Sequence, residues 1–265
     1  MCALNLSIGC TGWGYDGWIG LFYPKNTPAS DFLRHYSSIF DMTEINSTFY
    51  QIPDKSMTRK WHSETPPHFR FTVKLPKIIT HENKLQDASA YLEQFLESIR
   101  PLDSKLSFIV MQLPPSLSFD DAKPRLEELK PFLSKNYVIE GRHESWFSER
   151  ALNYLSDNNI CLVWNDVFGV KNPFPITSDF LYVRIIGDRS IPEKDFGTVV
   201  RDRTNDLRIW ADRLNQAANE ISFGVVVANN HYEGFGPATA NKLRVLLGLE
   251  ELVWADKKQK TITDF

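Results

Sequence analysis

A chain of 265 residues, 42% hydrophobic and 13% aromatic, is long enough to bury one large core, so no disulfide or metal staple is required. Its net charge of −3 and pI near 6.1 supply no overall field that would draw it to nucleic acid or an anionic membrane. Cys2, Cys10 and Cys161 lack C-x-x-C spacing, which argues against a disulfide framework or zinc knuckle and fits a reducing cytoplasm.

The opening MCALNLSIG has no charged n-region before a long apolar stretch, and no run of about 18 apolar residues occurs, so neither export nor a membrane span is expected. The predicted elements then alternate. Strand 6–12 is followed by helix 30–40, strand 42–49, helix 54–64, strand 70–76 and helix 86–100. Next come strand 106–113, helix 121–133, strand 136–143, helix 148–158 and strand 160–166. The stretch 167–179 has two prolines and no helical period, so the sixth helix is expected to be missing or reduced. Strand 180–187, helix 204–220, strand 221–230 and helix 236–248 complete the pattern of one domain. Ser30-Asp31 and Asp120-Asp121 are read as N-caps, Pro114-Pro115 as the stop of the fourth strand, and Gly248 as the end of the last helix. The Lys257-Lys258-Gln259-Lys260 cluster reads as a solvated end.

Each of the eight strands stops at a polar or charged residue. The endings are Thr11-Gly12, Glu44-Ile45-Asn46, Lys74, Gln112, Glu140-Gly141-Arg142, Asn165-Asp166, Arg184 with Gly187, and Asn229-Asn230. Buried strands with functional groups at their C-terminal ends describe a (β/α)8 TIM barrel of parallel strands, whose ligand site lies on that face. Alternation turns Glu44, Asn46 and Thr48 inward, then Lys74, Gln112, Val138, Glu140, Arg142 and Asp166, then Tyr182, Arg184 and Ile186. In the last strand it is expected to turn Ser222, Gly224, Val226, Ala228 and Asn230 inward and Phe223, Val225 and Val227 outward.

The motifs GCTGWGYDGWIGLFYP at 9–24, EINSTFY at 44–50, FRFTVKLPKIITH at 69–81 and QLPP at 112–115 recur in order with EGRHESW at 140–146, YVRIIG at 182–187 and VVANNHYEGFGPATAN at 226–241. Together they closely resemble the YecE-like family, domain of unknown function seventy-two. The resemblance implies a (β/α)8 barrel with an opened or irregular side and brings no activity. Where that family often has a histidine after the seventh strand, this chain reads Ile186-Gly187.

The carboxylates Glu44, Glu140 and Asp166 are candidate acids and bases, set against the alternative that they pair with Lys74, Arg142 and Arg184. Those cations could instead surround an anionic group, with Arg184 lying deepest. Trp13 and Trp146 sit near strand ends and could stack on a ligand, together with Tyr15 and Tyr50, whereas Trp18 and Tyr23 read as packing. His81 and His143 are candidate acid/base groups, and no spacing typical of a metal site is present. Cys10 reads as a small buried residue.

The expectation is an enzyme acting on a small anionic or polyhydroxylated molecule by acid/base chemistry, as a hydrolase, lyase or isomerase. Glu44, Glu140, Asp166 and His143 are its candidate catalytic groups. Trp13, Asn46, Lys74, His81, Gln112, Arg142, Trp146, Arg184 and Asn230 are its candidate binding groups, with Arg142 and Lys74 holding the anion. No cofactor is expected, and no oligomeric state follows from the pattern. The alternatives are a noncatalytic metabolite sensor and, disfavoured by charge, a nucleic-acid enzyme.

Overall fold

The structure is a computed structural model and describes residues 5–133, 137–166 and 173–254. Cys2, residue 136, residues 167–172 and the basic cluster at 257–260 lie outside the described residues. Nine strands form one parallel sheet: β1 (Leu6–Thr11), β2 (Met42–Ile45), β3 (Arg70–Lys74), β4 (Leu106–Gln112), β5 (Tyr137–Glu140), β6 (Cys161–Leu162), β7 (Trp164–Asn165), β8 (Phe180–Ile185) and β9 (Phe223–Ala228). Their order is β6-β5-β4-β3-β2-β1-β9-β8-β7. Because β6 and β7 are consecutive in sequence, the sheet curls into a nearly closed barrel.

The sixth predicted strand is therefore two short pieces separated at Val163. Cys161 and Leu162 pair with Val138 and Ile139 of β5, while Trp164 and Asn165 pair with Val183 and Arg184 of β8. One stretch of chain thus bridges both ends of the sheet. Residues 173–179, the described part of the segment after it, contain no helix.

The surrounding helices are α1 (Phe32–Ser37), α2 (Lys55–Glu64), α3 (Ser89–Ile99), α4 (Phe119–Leu129), α5 (Glu149–Asp157), α6 (Thr204–Ala217), α7 (Asn230–Glu233) and α8 (Gly236–Leu246). Two caps differ from expectation. Ser118 caps α4 by accepting from the Asp121 amide, which leaves Asp120 and Asp121 in the first turn. Asp31 precedes α1 without a side-chain cap bond, because Ala29–Asp31 already form a 3-10 turn. Gly248, at φ +73°, follows α8 and returns its amide to the Val245 carbonyl at 3.0 Å. Among the described residues, no helix is long and apolar enough to cross a membrane.

The inside of the barrel is layered. Phe108, Phe180 and Phe223 fill its base, their ring centroids 4.9, 5.8 and 5.6 Å apart and their planes within 25° of parallel. This corrects the expected phase of β9: Phe223, Val225 and Val227 face inward, and Gly224, Val226 and Ala228 face the helices. A small barrel must be plugged by large side chains at its base. Gly224 outside leaves room for Leu6, whose Cδ2 would lie 2.6 Å from an added Cβ.

Above the plug, the Tyr182 hydroxyl donates to Glu44 Oε2 at 2.9 Å and meets Thr72 Oγ1 at 2.7 Å. The Tyr182 proton serves the carboxylate, so Thr72 donates to Tyr182. At the end of β2 the backbone turns helical at Asn46, and Thr48 leaves the inward face to bond the carbonyls of Ile45 and Lys74 at 3.0 and 2.7 Å. Its expected inward orientation fails because alternation ends with the strand at Ile45.

Candidate functional site at the barrel mouth

At the C-terminal ends of the strands, Glu44 and Glu140 are completely buried and Arg184 is 3% exposed. Buried charges of this kind persist only when paired. Arg184 donates through Nε to Glu44 Oε2 at 3.0 Å and through Nη2 to Glu44 Oε1 at 2.7 Å. Its Nη1 donates to Glu140 Oε2 and, at 3.4 Å, to Gln112 Oε1, while Nη2 also reaches Asn46 Oδ1 at 3.5 Å. All five of its N–H donors are thereby occupied. Arg184 frames the site rather than offering a free fork to a ligand.

Arg142 lies past the end of β5 yet returns to Glu140. Its Nε donates to Oε1 at 2.8 Å, and its Nη2, 2.7 Å from the same oxygen, is misaligned for a second bond. Burial works to raise the Glu140 carboxyl, but Arg184 and Arg142 outweigh it and hold it down at about 2. Gly141 permits this layout, since a Cβ there would lie 2.4 Å from Trp146 Cγ.

Two carboxylates thus face two guanidiniums, and Lys74 is left over. Its side chain is buried, its Nζ stands 3.8 Å above the Phe49 ring centroid, and it makes no hydrogen bond or ion pair among the described residues. Burial, followed by the charge of Arg184, pushes the Lys74 ammonium down to about 7. Its neighbour His81 packs edge-on against Phe49 at 5.0 Å. Because Gln112 Oε1 accepts from Arg184, its Nε2 must donate toward His81 Nε2, 3.4 Å away. That leaves the His81 proton on Nδ1, where Thr80 Oγ1 accepts it at 2.8 Å. Burial and the charge of Lys74 hold His81 down at about 4, in keeping with a neutral ring.

Over this layer opens a cavity of about 220 Å³, lined by Tyr15, Asn46, Tyr50, Lys74, Arg184, Ile186, Arg189, Asn229 and His231. Of the sequence candidates, Asn46, Lys74 and Arg184 line it, together with the aromatics Tyr15 and Tyr50, and Glu44, Gln112, Glu140, Arg142 and His81 make the connected layer around Arg184 and Lys74. Arg189, Asn229 and His231 were not among the expected site residues. Asn229 follows from the corrected phase of β9, and its Nδ2 donates to Thr11 Oγ1 at 2.7 Å. His231 arrives because Gly187, at φ +80°, lets the chain approach it; a Cβ there would lie 2.5 Å from the His231 carbonyl oxygen.

Other candidates stand elsewhere. Asn230, expected to face inward, is buried on the helix side, where its Oδ1 accepts from Trp18 Nε1 at 3.2 Å and the Gly236 amide at 2.8 Å. Trp146 is fully buried, with Nε1 donating to the Leu117 carbonyl and its ring against Phe119 at 5.5 Å. Trp13 packs edge-on against Trp61 and Phe71 at 5.8 and 6.3 Å. The His143 Nδ1 is engaged by Ser145, capping the turn Glu144–Phe147. Asp166 lines a separate cleft of about 240 Å³ with Phe174, Arg203 and Tyr232. Its Oδ1 accepts from the amides of Ile186 and Gly187 at 2.7 and 3.2 Å. Trp18, Tyr23 and Cys10 are buried packing residues. Among the described residues, no group of three or more His, Cys, Asp or Glu could hold a metal ion.

Residues 7–262 match the family described as Protein of unknown function DUF72. The chain belongs to the DUF72 family. A solved DUF72 structure from Thermotoga maritima MSB8 superposes with a TM-score of 0.79 at 26% identity, covering 92% of this chain and 99% of that one. One from Enterococcus faecalis V583 gives 0.75 at 22% identity over 93% and 99% of the two chains, a likeness of fold. Among curated proteins, UPF0759 protein YecE of Escherichia coli K12 is 29% identical over 156 residues, 55% of this chain and 53% of that protein. UPF0759 protein YunF of Bacillus subtilis is 30% identical over 164 residues, 56% of either chain. These matches span about half the length of the curated relatives. The names of these DUF72 and UPF0759 proteins carry no activity.

Proposed function

We propose that this protein is a cytoplasmic enzyme that binds a small anionic or polyhydroxylated molecule at the barrel mouth and acts on it by acid/base chemistry. The observation that carries this reading is Lys74, a buried cation beside a cavity with no carboxylate bonded to it. An anion supplied by a ligand would complete its pairing. Arg189 lines the same cavity, and with Lys74, Arg142 and Arg184 it outnumbers the carboxylates of Glu44 and Glu140 below; His231, whose ring burial holds neutral, adds no charge there.

The roles divide differently from those expected of the strand ends. Glu44 and Glu140 hold Arg184 and Arg142 in place, and Glu140 stays ionised at neutral pH, which makes it a poor proton donor. Lys74 is the group in the mouth poised to gain or lose a proton near neutrality. Hydrolase, lyase and isomerase chemistry are all compatible with one such base.

Melting temperature measured against rising sulfate and phosphate tests the reading. The unaltered protein should gain several degrees, since a ligand at about 100 times its Kd contributes roughly 2.7 kcal/mol. Lys74→Met should gain far less. An equal gain in both proteins, or none in either, would reject anion binding at this mouth.

A further inference from the structure

We propose that the Lys74 amine forms an imine with a small aldehyde or ketone that also carries an anionic group, so that the protein works through a covalent carbon–nitrogen intermediate. The inference rests on the reading of the mouth as an anion site and names its substrate class. A lysine kept for structure normally meets a carboxylate, a carbonyl or water. Lys74 meets the face of an aromatic ring on one side and an open cavity on the other. The neighbouring carboxylates of Glu44 and Glu140 are bonded to arginines instead.

Amines become nucleophiles in two settings, an apolar desolvated pocket and the vicinity of another cation. Both coincide here. Phe49 supplies the ring, and Arg184 from β8 and Arg142 from beyond β5 supply positive charge, against the opposing influence of Glu140 and Glu44 from β5 and β2. His81, on the turn after β3, is held neutral, and Tyr15, Tyr50, Arg189 and His231 are the other titratable groups facing the cavity that Lys74 lines. At neutral pH a substantial fraction of Lys74 therefore carries its lone pair.

The step balances without a redox partner. The Nζ lone pair attacks the carbonyl carbon, a carbon–nitrogen bond forms, and the carbonyl π pair moves to oxygen, which takes a proton as the nitrogen loses one. A second proton then leaves with that hydroxyl as water, and the carbon–nitrogen double bond closes. His231 lines the cavity and can carry these protons at Nε2, because the Ile191 carbonyl, 2.9 Å from Nδ1, requires the ring proton there. Arg189 is available to the anionic end of the molecule. A carbonyl compound of a few heavy atoms suits a cavity of about 220 Å³.

Reductive trapping tests the proposal on the intact folded protein. Glyoxylate with cyanoborohydride at pH 7 should place a carboxymethyl group on Lys74 at least about tenfold faster than on exposed Lys25, as counted by peptide mass spectrometry. Acetaldehyde, which lacks the charge, should show a smaller preference for Lys74, and protein unfolded in guanidinium should show none. Labelling of Lys74 no faster than Lys25 by either reagent overturns the imine. Fast labelling of Lys74 by acetaldehyde without further preference for glyoxylate sustains the reactive amine and overturns the anionic substrate class, and with it the reading of the mouth.

Discussion

Arg184 grips Glu44 through two parallel bonds, Nε to Oε2 at 3.0 Å and Nη2 to Oε1 at 2.7 Å, at a depth where neither side chain meets solvent to any extent. The same guanidinium reaches Glu140 from the neighbouring side. A single cation thereby joins β2, β5 and β8 across the barrel axis, and the layer it makes is the floor of the mouth.

Replacing Arg184 with Met leaves two buried carboxylates short of partners. The expected loss is about 3–5 kcal/mol of unfolding free energy in urea titrations. Adding Glu44→Gln and Glu140→Gln to that variant should restore a good part of it by removing the orphaned charge. A loss below about 1 kcal/mol for Arg184→Met would mean that water reaches the layer.

Acid should weaken the fold through Glu140. Its folded-state value of about 2 lies below its usual 4.5, so its contribution is present above pH 4.5 and is lost as pH falls toward 2. The amount is on the order of 3 kcal/mol. Comparing pH-dependent unfolding of the parent with Glu140→Gln isolates this group among the other acids. Parallel curves between pH 5 and 2 would contradict the assignment.

Lys74 works in the opposite pH range. Its folded value of about 7 lies below the usual 10.5, so the unfolded chain binds the extra proton between those limits. Stability should therefore rise with pH, by an order of 2 kcal/mol between pH 7 and 9. Lys74→Met should lack that rise and should be no less stable than the parent at pH 7, the usual exchange of function for stability. Urea midpoints at the two pH values decide the matter.

Asp166 acts on the mouth from outside. Its Oδ1 holds the amides of Ile186 and Gly187, and burial raises its carboxyl above the usual range. Asp166→Ala should cost about 1–3 kcal/mol and speed hydrogen exchange at those two amides. Asp166→Asn keeps the acceptor without the buried charge and should match or exceed the parent. Equal exchange in all three proteins would separate Asp166 from that loop.

The layer around Arg184 was legible in the sequence because β2, β3, β4, β5 and β8 alternate regularly in the stretch that reaches the mouth, the one register shift, between β3 and β4, falling below it at Phe71/Thr72. Glu44, Lys74, Gln112, Glu140 and Arg184 then share one face by period alone. Legibility failed where the backbone leaves the strand. Asn230 is one residue past a position whose phase depends on which side Phe223 takes, and only the aromatic plug formed with Phe108 and Phe180 decides that. Pairing geometry was likewise hidden: three acids and three bases could be counted, but nothing local shows that Arg184 takes two acids and leaves Lys74 without one. Arg189 comes from the loop after β8 and His231 from the short helix α7, whose approach depends on a glycine at 187 and on no periodic signal.

The aromatic stack at the base of the barrel has a further consequence for traffic. Phe108, Phe180 and Phe223 seal the far end, and the ion-paired layer above them is closed to solvent. The mouth is consequently a blind alley with one doorway, so whatever leaves must pass the place where the next molecule enters. Under the proposed function, one bound molecule and its successor would share that single opening, and occupancy by the first would exclude the second.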